Sequence, residues 1–174
     1  MPAEQGDNRN KVKRLAVLGL LTAVCLIIGY LESIVNLSFI APGMKLGLSN
    51  SIACVLVFSK DIKGAVAVNL PRILLSALLF GSAVSLAFAL AGGAVSLVAM
   101  ALLRKTRAFS AIGASAAGGA LHNASQCVVG TAFIGIGAVY YLPLLLLAGV
   151  VCGAAVGFLA TLILKRIGKS ENNV

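Results

Sequence analysis

Apolar residues in this chain come in long, nearly unbroken runs. They cover Leu15 to Leu31, Leu46 to Ser59, Gly64 to Phe80, Ser82 to Leu103, Ala108 to about Ala132, and Leu142 to Leu164. A run of ~17–25 apolar residues is long enough to cross a bilayer as a helix. The pattern therefore predicts an all-α integral membrane protein, a bundle of six transmembrane helices. The second run is short for a full crossing. It is expected to begin within the membrane and to borrow length from the loop before it.

The polar interruptions orient the runs. Arg9, Lys11, Lys13 and Arg14 precede the first, Lys60 and Lys63 follow the second, Arg104, Lys105 and Arg107 follow the fourth, and Lys165, Arg166 and Lys169 follow the last. Of the 14 basic residues only Lys45 and Arg72 fall elsewhere. Basic clusters mark the cytoplasmic side, so both termini are expected inside, in the plasma membrane of a bacterium. The organisation read from this is a flexible basic leader over 1–14, a six-helix domain over 15–167 and a polar tail over 168–174. Glu32 to Met44 and Phe133 to Tyr141 become outer loops. The basic leader before an apolar run resembles a signal peptide, but no small-x-small cleavage site closes it, so it reads as a retained helix.

Composition agrees. The 174 residues are 60% hydrophobic and 11% charged, with a mean hydropathy of +1.04. Soluble domains run near ~45–50% apolar and ~25% charged. The net charge of +9 would point to nucleic acid on a soluble chain. Here the positive-inside pattern accounts for it, and no nucleic-acid partner is expected. Cys25, Cys54, Cys127 and Cys152 all lie in apolar runs and form no CxxC pair, which excludes a disulfide framework or zinc site and leaves them as small apolar core residues.

Lipid gives helices no hydrophobic reward for associating, so small residues that let backbones approach mark helix contacts. Gly149, Gly153 and Gly157 repeat every fourth residue in the sixth run and predict an internal packing stripe. Ala16, Gly19 and Ala23 form a second small face on the first run.

The polar residues inside the apolar body carry the functional reading. Ala41 to Asn50 holds a Pro-Gly turn, Lys45, and Ser49-Asn50 at the start of the second run. A helix start there would offer free N–H groups to an anion, or serve merely as a cap. Glu32 is placed to pair with Lys45. Arg72 sits inside the third run, three residues after Asn69 and beside Pro71. A charge in a span costs roughly 2.5–3.5 kcal/mol on insertion scales, so it either faces protein or water in a site or snorkels toward the outer interface near Gly81. His122 and Gln126 share a helical face with Ser115 and Gly119, and Asn123 stands beside them; these groups are placed either for hydrogen bonds between helices or for a ligand. Two cations and several amides predict a pocket for a small anionic or phosphate-bearing solute, lined by Lys45, Asn50, Asn69, Arg72, His122, Asn123 and Gln126. Beyond the leader the acids are Glu32, Asp61 and Glu171, too few to hold the Mg²⁺ that diphosphate chemistry needs. No catalytic residue, resident cofactor or metal site is expected, and the chain is not expected to be an enzyme.

Taken together, Leu-Gly-Leu-Leu-Thr-Ala in the first run, Pro-Gly-Met-Lys-Leu-Gly-Leu-Ser-Asn after it, Arg72 with Leu79-Phe80-Gly81-Ser82, and His122-Asn123 with Gln126 resemble the Gx transporter family, also labelled heptaprenyl diphosphate synthase component I. The likeness runs from about Lys13 to Lys165. That family resembles the substrate-binding S components of energy-coupling factor transporters, six-helix proteins that capture a vitamin or similar solute. The resemblance implies partners: a transmembrane coupling protein and two ATPase subunits. It also implies a docking face of small residues on the first helix, often Ala-x-x-x-Ala, which here becomes Gly19 and Ala23, with Ala16 a turn earlier. Some relatives are linked with flavin transport, so a flavin is the first solute expected. The synthase label implies a second reading, a membrane partner in prenyl diphosphate synthesis. A third reading is a redox subunit holding iron through intramembrane Cys.

Overall fold

The structure, a computed structural model, describes residues 2–34 and 49–171; for 2–7, 32, 33, 134 and 168–171 only the backbone is described. Every regular element in these residues is helical. α1 spans Pro2–Ile34, α2 Asn50–Phe58, α3 Ile62–Phe80, α4 Ala83–Thr106, α5 Ala111–Ile134 and α6 Leu142–Glu171, with a 3₁₀ turn over Ile136–Tyr141 between the last two. The polar leader continues α1 rather than standing apart from it.

Four of these segments are long and apolar enough to cross a membrane: 8–31, 62–80, 83–106 and 136–167. α5 is 24 residues long, but Gly, Ser, His, Asn and Gln dilute its apolar character. The outer surface is oily: Leu78, Val128, Leu20 and Leu147 are 83%, 70%, 66% and 63% exposed. Only a lipid solvent accommodates such a surface on a multi-pass helical protein.

Helix ends follow the sequence. Asp61 caps α3 by accepting from the Gly64 N–H at 2.8 Å. Ser82 and Ser85 form a reciprocal capping box at the start of α4, and Ser110 caps α5. Arg107 closes α4 in the left-handed region, at φ 57°.

The stripe on α6 packs inside the bundle, as its spacing predicts. A Cβ on Gly149 would collide with the Gly119 carbonyl, and one on Gly153 with the Ser115 carbonyl. One on Gly157 would come within 2.6 Å of the Ile112 Cα. α5 and α6 thus touch backbone to backbone over two turns, which only glycine permits.

The core is uneven along the bundle axis. Ala53, Cys54, Val55, Val57, Ala65, Leu97, Met100, Val156 and Ala160 form one buried cluster, with Phe58 and Leu164 packed against it. These residues lie toward the end of the bundle that carries the basic turns, and they seal it. A smaller cluster, Cys127 and Leu145 with Ala138 and Leu142, closes the space beneath the 3₁₀ turn at the other end. The buried polar side chains Asn69, Ser96, Ser115 and Asn123 lie between or beside these seals.

Candidate functional site

α2 is nine residues long, about 13 Å at 1.5 Å per residue. Its first residue therefore sits near mid-height, where the third helix presents Arg72. The start of the predicted second run, 46–48, lies outside the described residues; from Asn50 onward the run is helical.

Arg72 gathers three oxygens there. Its guanidinium donates to the Ser49 hydroxyl at 2.7 Å, the Asn69 side-chain oxygen at 2.9 Å and the Asn50 side-chain oxygen at 3.1 Å. Ser49 does not cap α2 with its side chain. The expected alternative of an ordinary cap is replaced by a bond to a half-buried cation, a charge-assisted use of the hydroxyl. The Asn69 amide also donates to the Gly93 carbonyl at 3.5 Å, and the Cys25 thiol to the Ser49 carbonyl at 3.5 Å. Arg72 thus joins α2 to α3, and Ser49 extends the network to α1. α3 runs on through Pro71, which has no N–H for the Ala67 carbonyl one turn back.

His122 and Gln126 meet as their spacing predicts, ring Nε2 to amide Nε2 at 3.0 Å. With the amide as placed, its NH₂ donates and the ring nitrogen accepts. Asn123 behaves differently. Its amide donates to the Leu145 carbonyl at 2.7 Å, so half of its side chain is spent on joining α5 to α6.

Between α2, α4, α5 and α6 lies a cavity of ≈ 40 Å³, lined on its polar side by Asn50, Ser96, Ser115, His122, Asn123, Gln126 and Cys152. Met100, Val156 and the glycines 119, 149 and 153 complete the wall. Among the described residues no Asp, Glu, Lys or Arg lines it. Whole-solute pockets are ~300–1,000 Å³, so this volume admits a few atoms of a solute rather than all of it.

Asn50 belongs to both features. It accepts from Arg72 and also lines the cavity. The sequence grouped Asn50, Asn69, Arg72, His122, Asn123 and Gln126 in one pocket. The structure brings them together as two adjoining parts, with Asn50 between. Lys45 lies outside the described residues, as do the rest of 35–48 and with them the Glu32–Lys45 pairing.

Sequence reasoning missed the residues that shape these parts. Gly92 and Gly93 are adjacent on α4 but face opposite neighbours. A Cβ on Gly92 would sit 2.6–2.8 Å from the His122 ring atoms, and one on Gly93 2.6 Å from Ile73 Cδ1 and 3.2 Å from the Asn69 amide. The pair stands in the middle of the fourth run, and nothing in one sequence tells which helices it admits. Ser96 was likewise hidden among small residues, whereas Ser115 falls on the His122–Gln126 face by its spacing, and Cys152, expected as a core residue, lines the cavity.

The small face of α1 stands clear. Ala16, Gly19 and Ala23 are exposed, and among the described residues nothing lies within 4 Å of a Cβ placed on Gly19. Nearby, the Arg14 guanidinium pairs with the Asp61 carboxylate at 2.6 Å, linking α1 to the turn before α3. Cys25 and Cys127 donate to backbone carbonyls, and no group of three His, Cys, Asp or Glu able to hold a metal occurs among the described residues.

These features define a class: a multi-pass, all-helical membrane protein with a polar site enclosed by an apolar bundle. The chain belongs to the heptaprenyl diphosphate synthase component I family, whose model matches residues 21–163. No curated protein and no solved structure matches it.

Proposed function

We propose that this chain is the substrate-binding subunit of an energy-coupling factor transporter. It would cross a bacterial plasma membrane six times with both termini in the cytoplasm. It captures a small anionic or phosphate-bearing solute, a flavin being the first choice, from the outer side. It performs no chemistry itself. Transport energy comes from two ATPase subunits through a transmembrane coupling protein that docks on Ala16, Gly19 and Ala23 of α1.

The observation that carries this reading is the meeting of Arg72, Asn69 and Ser49-Asn50 beside a neutral polar cavity, inside a bundle sealed by apolar residues at its basic end. Buried polar groups of this number are costly unless they serve a partner. Arg72 supplies planar donors for phosphate or carboxylate. The exposed small face on α1 supports a docked helix.

The family's description favours a second reading, a membrane partner in prenyl diphosphate synthesis. In that case the carboxylates for Mg²⁺ come from another subunit, because Glu32, Asp61 and Glu171 are the only acids after the leader.

Native mass spectrometry of the purified protein separates the two. A retained anionic, ring-bearing solute is expected. A retained isoprenoid diphosphate would support the second reading against the first.

A further inference from the structure

We propose that the site divides its solute into two chemically different parts: an uncharged, hydrogen-bonding ring edge enters the cavity, and an anionic group is read separately at Arg72. This rests on the transporter reading and specifies the solute's chemistry. Three observations lead to it. The cavity is polar but has no formally charged lining residue among those described, so it cannot compensate an ion. Its hydroxyls, amides and imidazole offer both donors and acceptors, which suits neighbouring C=O and N–H groups on a ring. Its ≈ 40 Å³ admits an edge and leaves the rest of the solute outside.

The cation stands on the other side of Asn50. Arg72 holds the Asn50 side-chain oxygen at 3.1 Å, and the same residue lines the cavity. An anion exchanging for a neutral oxygen such as that of Asn50 gains a charge-assisted bond to the guanidinium. Gly92 controls the other part. The His122 ring occupies the space an alanine Cβ would need, so Gly92→Ala moves a wall of the cavity and leaves the Arg72 oxygens in place.

The test uses two probes that share a ring and differ in charge, riboflavin and riboflavin 5′-phosphate, titrated against the full chain in nanodiscs. Binding is read as the rise in anisotropy of the probe's fluorescence, excited in the visible where no side chain of the protein absorbs. The phosphate ester is expected to bind at least about tenfold more tightly, the lower end of a charge-assisted bond. Arg72→Gln should bring the two affinities together by weakening the ester alone. Gly92→Ala should weaken both by one factor and keep their ratio, and Ser96→Ala, which adds no bulk, should do so more mildly. If Arg72→Gln does not fold, a ratio reduced in Arg72→Lys supports the division and an unchanged ratio overturns it. The division is also overturned if Arg72→Gln weakens both probes alike, or if Gly92→Ala and Ser96→Ala leave both affinities unchanged. Wild-type protein that binds neither probe overturns it too. If that protein still co-purifies with ATPase subunits, the transporter reading survives.

Discussion

The Arg72 guanidinium and the Ser49 hydroxyl meet at 2.7 Å, joining the middle of α3 to the start of α2 at mid-height in the bundle. Neither residue is at a helix end facing water. A cation in this position is stabilised by side-chain oxygens brought from two helices, and a half-length α2 is what brings two of them there. The arrangement makes Arg72 a brace between α2 and α3, and in the proposed function it is the group that takes the solute's anion.

Arg72→Ala is expected to weaken solute binding by about 1.5–3 kcal/mol, the usual worth of a charge-assisted hydrogen bond. Arg72→Lys should recover only part, because an ammonium cannot reproduce the planar fork. Ligand titration in nanodiscs, with size-exclusion profiles to show that the variants fold, reads both numbers. Unchanged affinity in a folded Arg72→Ala protein would remove Arg72 from the site.

The α5–α6 contact leaves no room for a side chain. Gly153→Ala forces a Cβ against the Ser115 carbonyl, and backbone cannot swing aside as a flexible side chain can. A loss of about 1–3 kcal/mol in stability is expected from this overpacking. Gly19→Ala, where a Cβ meets open space, should cost little. Thermal unfolding in a fixed detergent compares the pair, and equal midpoints would contradict the packing account.

Much of this was legible in the sequence, and the reasons differ by residue. Asn69 and Arg72 are three apart on one helix, so their bond follows from helical geometry. The same holds for His122 and Gln126. The α6 glycines announced a packing stripe by period alone. What they pack against, Ser115, Gly119 and Ile112, was not legible, because pairing between helices depends on rotations that one chain's pattern leaves open. Asn123 illustrates the limit: the sequence left it between a ligand group and an interhelical hydrogen bond, and its amide bonds the Leu145 carbonyl while the residue also lines the cavity. The Gly92–Gly93 pair stands in the middle of the fourth run with no partner marked by spacing. Its function as a saddle between Asn69 and His122 needs three helices in place at once.

Docking on α1 has a specific expectation. Gly19→Leu and Ala23→Leu lie on an exposed face, so each should leave the bundle folded while holding a partner helix away. A pull-down with the coupling module should lose signal in both variants. Undiminished recovery of the module would move the docking surface off α1.

Orientation is checked by labelling. In a background with the four native cysteines replaced, Lys169→Cys should resist an impermeant thiol reagent in intact cells and react after lysis. A cysteine at position 137, in the turn after α5, should react in intact cells. Labelling of the residue-169 site from outside would reverse the proposed topology.

The central claim is best tested by what the chain carries with it from its native membrane. Tagged protein, gently solubilised and analysed by native mass spectrometry, is expected to appear in a complex with one transmembrane coupling protein and two ATPase subunits. Recovery with the catalytic subunit of a prenyl diphosphate synthase, and without any ATPase, would contradict it.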